Sequence, residues 1–257
     1  MQTIMITGGS GSIGKGIAKV LLNDNYRVIL IGRNPHKLFA TQQELELETN
    51  NKNIITYTID IRNEVQVASK LLSIWESTPI DGLVNAAGFG EPIDYFSSLK
   101  NDWDESFQSK LWGTINMTKN VAKLMMEHEI NGKIIIINGT FCYDPNPDFI
   151  INSTVNAALS GFAKAASKYL GTRGICLNVL NPWITESESW QKTATNLAKF
   201  FDTTPESLNE NFKKMNPLKR FTDVNDIGHA VSFLLNKKAN YINGASINLD
   251  GGASIGF

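Results

Sequence analysis

The fold of this chain is decided near its start by the stretch Ile4-Met5-Ile6-Thr7-Gly8-Gly9-Ser10-Gly11-Ser12-Ile13-Gly14-Lys15-Gly16. It predicts a strand, a tight glycine turn and the beginning of a helix. Glycine allows positive φ angles and a close approach of backbone, and the first turn of a helix presents unpaired N–H groups at a positive dipole end. The stretch therefore predicts a site for a pyrophosphate.

Strand-like and helix-like segments alternate along the rest of the chain. Apolar residues at helical spacing follow the turn, and short apolar runs recur that are too short for helices. These later predicted strands are residues 28–31, 54–59, 82–88, 133–137, 175–180 and 245–249. Regular alternation predicts an α/β fold: a doubly wound parallel sheet of about seven strands with helices on both faces. Its ligand is expected at the carboxyl ends of the strands.

The length of 257 residues predicts one domain over residues 1–257. From residue 183 to 215 the alternation stops, and aromatic residues suggest one or two helices over the top of the sheet. This segment is interpreted either as a substrate lid or as a helical pair on the surface.

Composition excludes several classes of protein. The net charge of -1 gives no basis for binding nucleic acid or an anionic membrane. Cys142 and Cys176 lack metal-ligand spacing, so free thiols are expected and no metal site is predicted. No signal peptide or transmembrane stretch is recognisable, which predicts a cytoplasmic protein.

Further motifs are spread along the chain: Asp60-Ile61, Asn85-Ala86-Ala87-Gly88, Trp103-Asp104, Asn178 with Asn181-Pro182, residues 216–220, and residues 241–252. Together with the glycine turn they resemble the short-chain dehydrogenase/reductase family over nearly the whole chain. The resemblance implies a Rossmann-like fold, a nicotinamide dinucleotide, hydride transfer on a small-molecule substrate, and a homotetramer or homodimer.

The resemblance also assigns cofactor positions. It places the pyrophosphate at the glycine turn, where Ser12 replaces the usual middle glycine. The other positions are the adenine side, the ribose side and the carboxamide contact, so the full set is Gly8, Ser10, Ser12, Ile13, Gly14, Asp60, Ile61, Asn85, Ala86, Gly88 and Ser187. At the end of the second strand stands Arg33, with no acid to bind the ribose hydroxyls. A guanidinium there favours NADP(H) over NAD(H), unless Arg33 is merely a solvated surface charge.

The catalytic positions of the family are all replaced. The family uses a tyrosine and a lysine on one helix, a serine before it and an asparagine on the preceding helix; these positions carry Asn152, Asn156, Gly139 with Thr140 adjacent, and Lys110. An asparagine has no titratable proton near pH 7, and general acid catalysis contributes about 10²–10⁴-fold. Ordinary ketone reduction is therefore expected to be severely impaired, unless Tyr143 is a displaced proton donor.

The lysine and an asparagine have in effect exchanged places. One hypothesis is that Lys110 holds the ribose or stabilises negative charge on the substrate while Asn152 and Asn156 donate amide hydrogen bonds to a substrate oxygen. The other is that Lys110 only extends along a helical interface.

The pattern resembles a branch of biosynthetic reductases that deliver hydride to a conjugated carbon–carbon double bond. The leading prediction is thus an NADP(H)-dependent oxidoreductase with a non-standard active site that reduces a conjugated C=C or C=O. The alternative is a catalytically silent relative that binds NADP(H) and acts as a partner or sensor.

Overall fold

All the strands form one parallel sheet in the computed structural model, which describes residues 1–88 and 90–255. The strands are β1 Thr3–Thr7, β2 Arg27–Gly32, β3 Ile54–Thr58, β4 Gly82–Asn85, β5 Lys133–Ile137, β6 Cys176–Pro182 and β7 Ser246–Leu249. Their order is β3-β2-β1-β4-β5-β6-β7, and every neighbouring pair is parallel. The predicted α/β fold with a sheet of seven strands is confirmed.

The helices are α1 Ser12–Asn23, α2 Pro35–Thr49, α3 Glu64–Ser77, α4 Lys100–Ser106, α5 Gly113–Glu127, α6 Ile150–Gly171, α7 Glu188–Phe200, α8 Pro205–Met215 and α9 Val224–Leu235. A π-helical segment, Phe107–Trp112, separates α4 from α5. A π-helical turn widens the helix by one residue, which apolar periodicity alone does not reveal.

The core lies on both faces of the sheet. One face buries apolar side chains of α1, α2 and α9, such as Leu21, Leu38 and Val231. The other buries side chains of α3, α5 and α6, such as Leu71 and Val121. Because both faces are covered, the central strands are continuous apolar runs rather than alternating ones.

The order of strands reverses between β1 and β4, and a crevice opens there at the carboxyl ends. The Thr7 hydroxyl accepts hydrogen bonds from the backbone N–H groups of Ala86 and Ala87, at 3.1 and 3.2 Å, and so ties the two strand ends together. Across residues 1–88 and 90–255, no helix is both long enough and apolar enough to span a bilayer.

Candidate active site

A cleft of about 1070 Å³ lies at the carboxyl ends of the strands. It runs from the glycine turn, past the ends of β2, β3 and β4, to helices α7 and α8. Of the predicted cofactor positions and of Lys110, Thr140, Asn152 and Asn156, all but Asn85 line it: Gly8, Ser10, Ser12, Ile13, Gly14, Arg33, Asp60, Ile61, Ala86, Gly88, Lys110, Thr140, Asn152, Asn156 and Ser187.

The glycine turn leaves no room for a side chain at Gly8 or Gly14. Gly8 has φ +67°, and a Cβ on Gly14 would lie 2.3 Å from the carbonyl oxygen of Gly8. Gly11 is the N-cap of α1, so no side chain caps the first-turn N–H groups that border the cleft. Unpaired donors at a helix N-terminus, beside such a turn, fit a pyrophosphate.

The cleft carries two guanidinium groups near the ends of β2 and β3. Arg33 is exposed, and Arg62 donates to both carboxylate oxygens of Asp60, with its Nη2 2.7 Å from Oδ2. The hydrogen bonds from Arg62, opposed by partial burial, hold the pKa of Asp60 below its ordinary value. Arg62 is not among the residues predicted from the sequence, although its position two residues after Asp60, just beyond a strand end, points to it.

Asn85 is the predicted site residue that does not line the cleft. It is buried at the end of β4, and its amide donates to the Thr118 hydroxyl at 3.1 Å. The side chain therefore joins the sheet to α5. Gly88, three residues later, has φ +121°, and a Cβ there would lie 2.8 Å from the Cβ of Lys110. The turn after β4 thus requires glycine so that the lysine stem can pass.

Lys110 lies in the π-helical segment and reaches the end of β5. Its ammonium donates to Oδ1 of Asn156 at 2.7 Å and to the carbonyl oxygen of Asn138 at 3.1 Å. Desolvation lowers the pKa of the Lys110 ammonium to about 8, and no carboxylate pairs with it among the described residues. The interpretation that Lys110 only covers a helical interface does not account for these two hydrogen bonds.

The two asparagines of α6 have different partners. Asn156 is buried beside Lys110, and its Nδ2 lies 3.5 Å from the carbonyl oxygen of Gly139. Asn152 donates to the carbonyl oxygen of Gly90 at 3.0 Å and so holds the segment after β4. A Cβ on Gly139, which has φ +155°, would lie 3.0 Å from Nδ2 of Asn156. Glycine at 139 and asparagine at 156 therefore fit each other.

The remaining candidates, Thr140, Ser187 and Tyr143, differ in how they lie relative to the cleft. Thr140 is buried and lines the cleft. Ser187 lines the cleft but caps α7, accepting the N–H of Trp190 at 3.1 Å, so its hydroxyl is engaged. Tyr143 is half-buried and is not among the lining residues, which disfavours it as a displaced proton donor.

Comparison with known proteins agrees with this geometry. A family model described as enoyl-(acyl carrier protein) reductase matches residues 8–254. The chain is 26% identical over 253 residues to a 3-oxoacyl-[acyl-carrier-protein] reductase FabG of Buchnera aphidicola, covering 98% of this chain and 96% of that one. It is 25% identical to the NADPH-dependent reductase BacG of Bacillus subtilis, over 98% of this chain and 97% of that one.

Among solved structures, ElxO with NADP bound superposes with a TM-score of 0.87 at 25% identity, covering 98% of each chain. The match of the family model extends from the glycine turn to the last residues after β7. This chain belongs to the short-chain dehydrogenase/reductase family.

Proposed function

We propose that this chain is an NADP(H)-dependent oxidoreductase that reduces a conjugated C=C, or a C=O, of a small metabolite at an active site built around Lys110. NADPH, when bound, supplies the hydride. Two of the similar proteins support this cofactor: BacG is an NADPH-dependent reductase, and the structure of ElxO has NADP bound.

The residues that would hold the cofactor are those of the glycine turn and of the neighbouring strand ends. The unpaired N–H groups of Ser12, Ile13 and Gly14 would receive the pyrophosphate. Arg33 is exposed at the end of β2 and is paired with no carboxylate among the described residues, so its guanidinium is available to a 2′-phosphate. Arg62, by contrast, is already engaged by Asp60.

The observation that carries the proposal is the state of the Lys110 ammonium. An ammonium has three N–H donors, and Asn156 and Asn138 accept from it. The remaining donor, on a desolvated cation, suits an oxygen that becomes negative during the reaction. Hydride addition to the far carbon of an enone produces such an oxygen as an enolate, with no strong acid needed in the same step.

The asparagines act mainly as positioning groups in this proposal. Asn156 fixes the ammonium through its Oδ1, and Asn152 fixes the segment at Gly90. Each amide has a second N–H that is available to a substrate oxygen. Residues 183–215, which contain α7 and α8, are proposed as the lid that separates this site from water.

The decisive experiment measures consumption of NADPH with an enone and with the saturated ketone of the same skeleton. Turnover of the enone is expected to exceed that of the ketone. Lys110→Met is expected to lower kcat by about 10²–10³-fold, the loss typical of one oxyanion donor. Lys123→Met, an exposed lysine of α5, is the matched control.

Two outcomes would contradict the proposal. Full activity of Lys110→Met would exclude the role of the ammonium. Binding of NADPH without turnover of any enone or ketone would favour the catalytically silent alternative.

A further inference from the structure

The part of the cleft bordered by α7 and α8 has aromatic walls. Phe141 and Phe149 stack with ring centroids 5.0 Å apart, and Trp190 meets Phe212 edge-on at 5.6 Å. These four side chains pack together with the buried residues Ala194, Leu197 and Leu208. Such walls suit a flat apolar part of a ligand, since aromatic faces pack well on rings.

One polar atom in this wall has no partner. Thr193 is 2% exposed, lines the cleft, and its hydroxyl makes no hydrogen bond to the described residues. It shares the buried face of α7 with Trp190 and Leu197, at spacings of three and four residues. A buried hydroxyl without a partner costs about 1–3 kcal/mol. A polar ligand atom that reached this hydroxyl would remove that cost.

Negative charge lines the same region. Asp144 and Asp148 are half-buried residues on the segment that leads to Phe149, and neither carboxylate forms an ion pair or hydrogen bond with a described residue. Glu91 also lines the cleft. It directly follows Gly90, whose carbonyl oxygen accepts a hydrogen bond from Asn152. Apart from Arg33 and Arg62 beyond β2 and β3, Lys110 is the one basic residue of the lining that the structure describes.

From these observations we infer the substrate class: a compact molecule with an unsaturated ring and a protonated amine, which Asp144 and Asp148 attract while a polar atom of the ligand pairs with Thr193. The inference rests on the proposed function, because the oxygen of the same substrate must meet Lys110. Charge is then complementary at both ends, with an oxyanion at the lysine and an ammonium at the carboxylates. An anionic substrate meets these carboxylates with repulsion.

The test compares three cyclohexenones that carry a dimethylaminomethyl, a hydroxymethyl or a carboxymethyl group at the same ring carbon. We expect kcat/KM with NADPH to be highest for the amine and lowest for the acid. Because each half-exposed charge pair is worth at most about 1 kcal/mol, the amine should exceed the neutral alcohol by about tenfold.

Variants locate the effect. Asp144→Asn with Asp148→Asn is expected to remove the difference in kcat/KM between the amine and the alcohol. Glu76→Gln, which removes one exposed carboxylate of α3, is the control and should keep that difference. Thr193→Val is expected to raise KM by about tenfold and to leave the melting temperature unchanged or higher, since it removes an unpaired buried hydroxyl. If the Thr193 hydroxyl had only a structural role, Thr193→Val would lower the melting temperature instead.

Thermal stabilisation of the NADP-loaded protein by the saturated amine and acid separates the two proposals. If no enone reacts but the amine stabilises more than the acid, the proposed function fails and the inferred class of ligand stands. Equal kcat/KM for amine and acid, or an unchanged preference in the double variant, would overturn the inference.

Discussion

At the scale of single residues, the residues at the family's catalytic positions differ from the family pattern in ways that fit one another. The stem of Lys110 passes where only Gly88 leaves room, and its ammonium is held by Asn156. Asn156 in turn occupies space beside Gly139 that a serine Cβ would enter. Each replacement therefore depends on its neighbour, and returning one of them to the family's residue is not expected to restore the family's chemistry.

The charge of Lys110 leads to a prediction about pH. Burial lowers the pKa of this ammonium to about 8, so the group is cationic below that pH and neutral above it. We expect kcat for an enone to be constant below pH 8 and to fall about tenfold per unit well above it. A profile of kcat against pH measures this, and Lys110→Met should lack the descending limb. A descending limb that persists in that variant would assign the pKa to another group.

Gly139→Ser, which reintroduces the family's serine, is expected to destabilise the protein. The backbone at 139 has φ +155°, and the new Cβ would lie 3.0 Å from Nδ2 of Asn156. Such strain costs about 1–3 kcal/mol, measurable as free energy of unfolding in urea. Gly161→Ser is the matched control, because no atom lies within 4 Å of a Cβ at that position. Equal stability of the two variants would show that Gly139 is not constrained.

At the scale of elements, helix α9 ends on a buried lysine. Lys133 at the start of β5 donates to the carbonyl oxygens of Leu234 and Asn236, at 3.0 and 2.7 Å. The last carbonyls of a helix lack partners within it, and the negative end of the dipole attracts a cation. The lysine thus joins the sheet to α9. Desolvation lowers the pKa of Lys133 and so disfavours the ammonium, which is the form that donates both hydrogen bonds.

Lys133→Met is expected to lower the free energy of unfolding by about 1–3 kcal/mol, because it leaves the buried carbonyl of Leu234 without this donor. Urea unfolding measures the change. Lys238→Met, at an exposed lysine just beyond α9, removes the same charge without this contact and should have little effect. A loss as large in the control would attribute the effect to net charge.

At the scale of the whole molecule, the buried apolar residues are unevenly distributed. The sheet and the helices on its two faces bury extensive apolar cores. Helices α7 and α8 rest on a much smaller cluster around Phe149 and Leu197, and Phe200 and Phe201 remain exposed at the end of α7. Segments with few buried contacts open more readily than the core.

We therefore expect α7 and α8 to become protected when the cleft is filled. Amide hydrogen exchange in residues 188–215 should slow when NADPH and an unreactive substrate analogue are added together. Helix α9, which packs closely on α1 through Gly16 and Gly228, is the internal control and should not change. Exchange in α7 and α8 that is indifferent to ligands would identify them as a surface pair rather than a lid.

The sequence by itself determined the sheet and the glycine turn that borders one end of the cleft. Apolar runs and glycine turns are local signals: a strand buried on both faces must be apolar, and the close approach of Gly14 to Gly8 allows no side chain at Gly14. It also indicated that Lys110, Asn152 and Asn156 occupy the catalytic positions. The homotetramer or homodimer and the cytoplasmic location stay predictions.

The tertiary structure alone decided which partners these residues have, because those partners are distant along the chain. The hydrogen bond from Lys110 to Asn156 joins residues that are 46 apart in the sequence. The close approach of Gly88 to Lys110 brings the turn after β4 against the π-helical segment. Burial of Thr193 without a partner and the engagement of Arg62 by Asp60 likewise depend on packing. Periodicity records which face of an element is apolar, whereas the pKa and the free hydrogen-bonding capacity of a group depend on what other elements bring beside it.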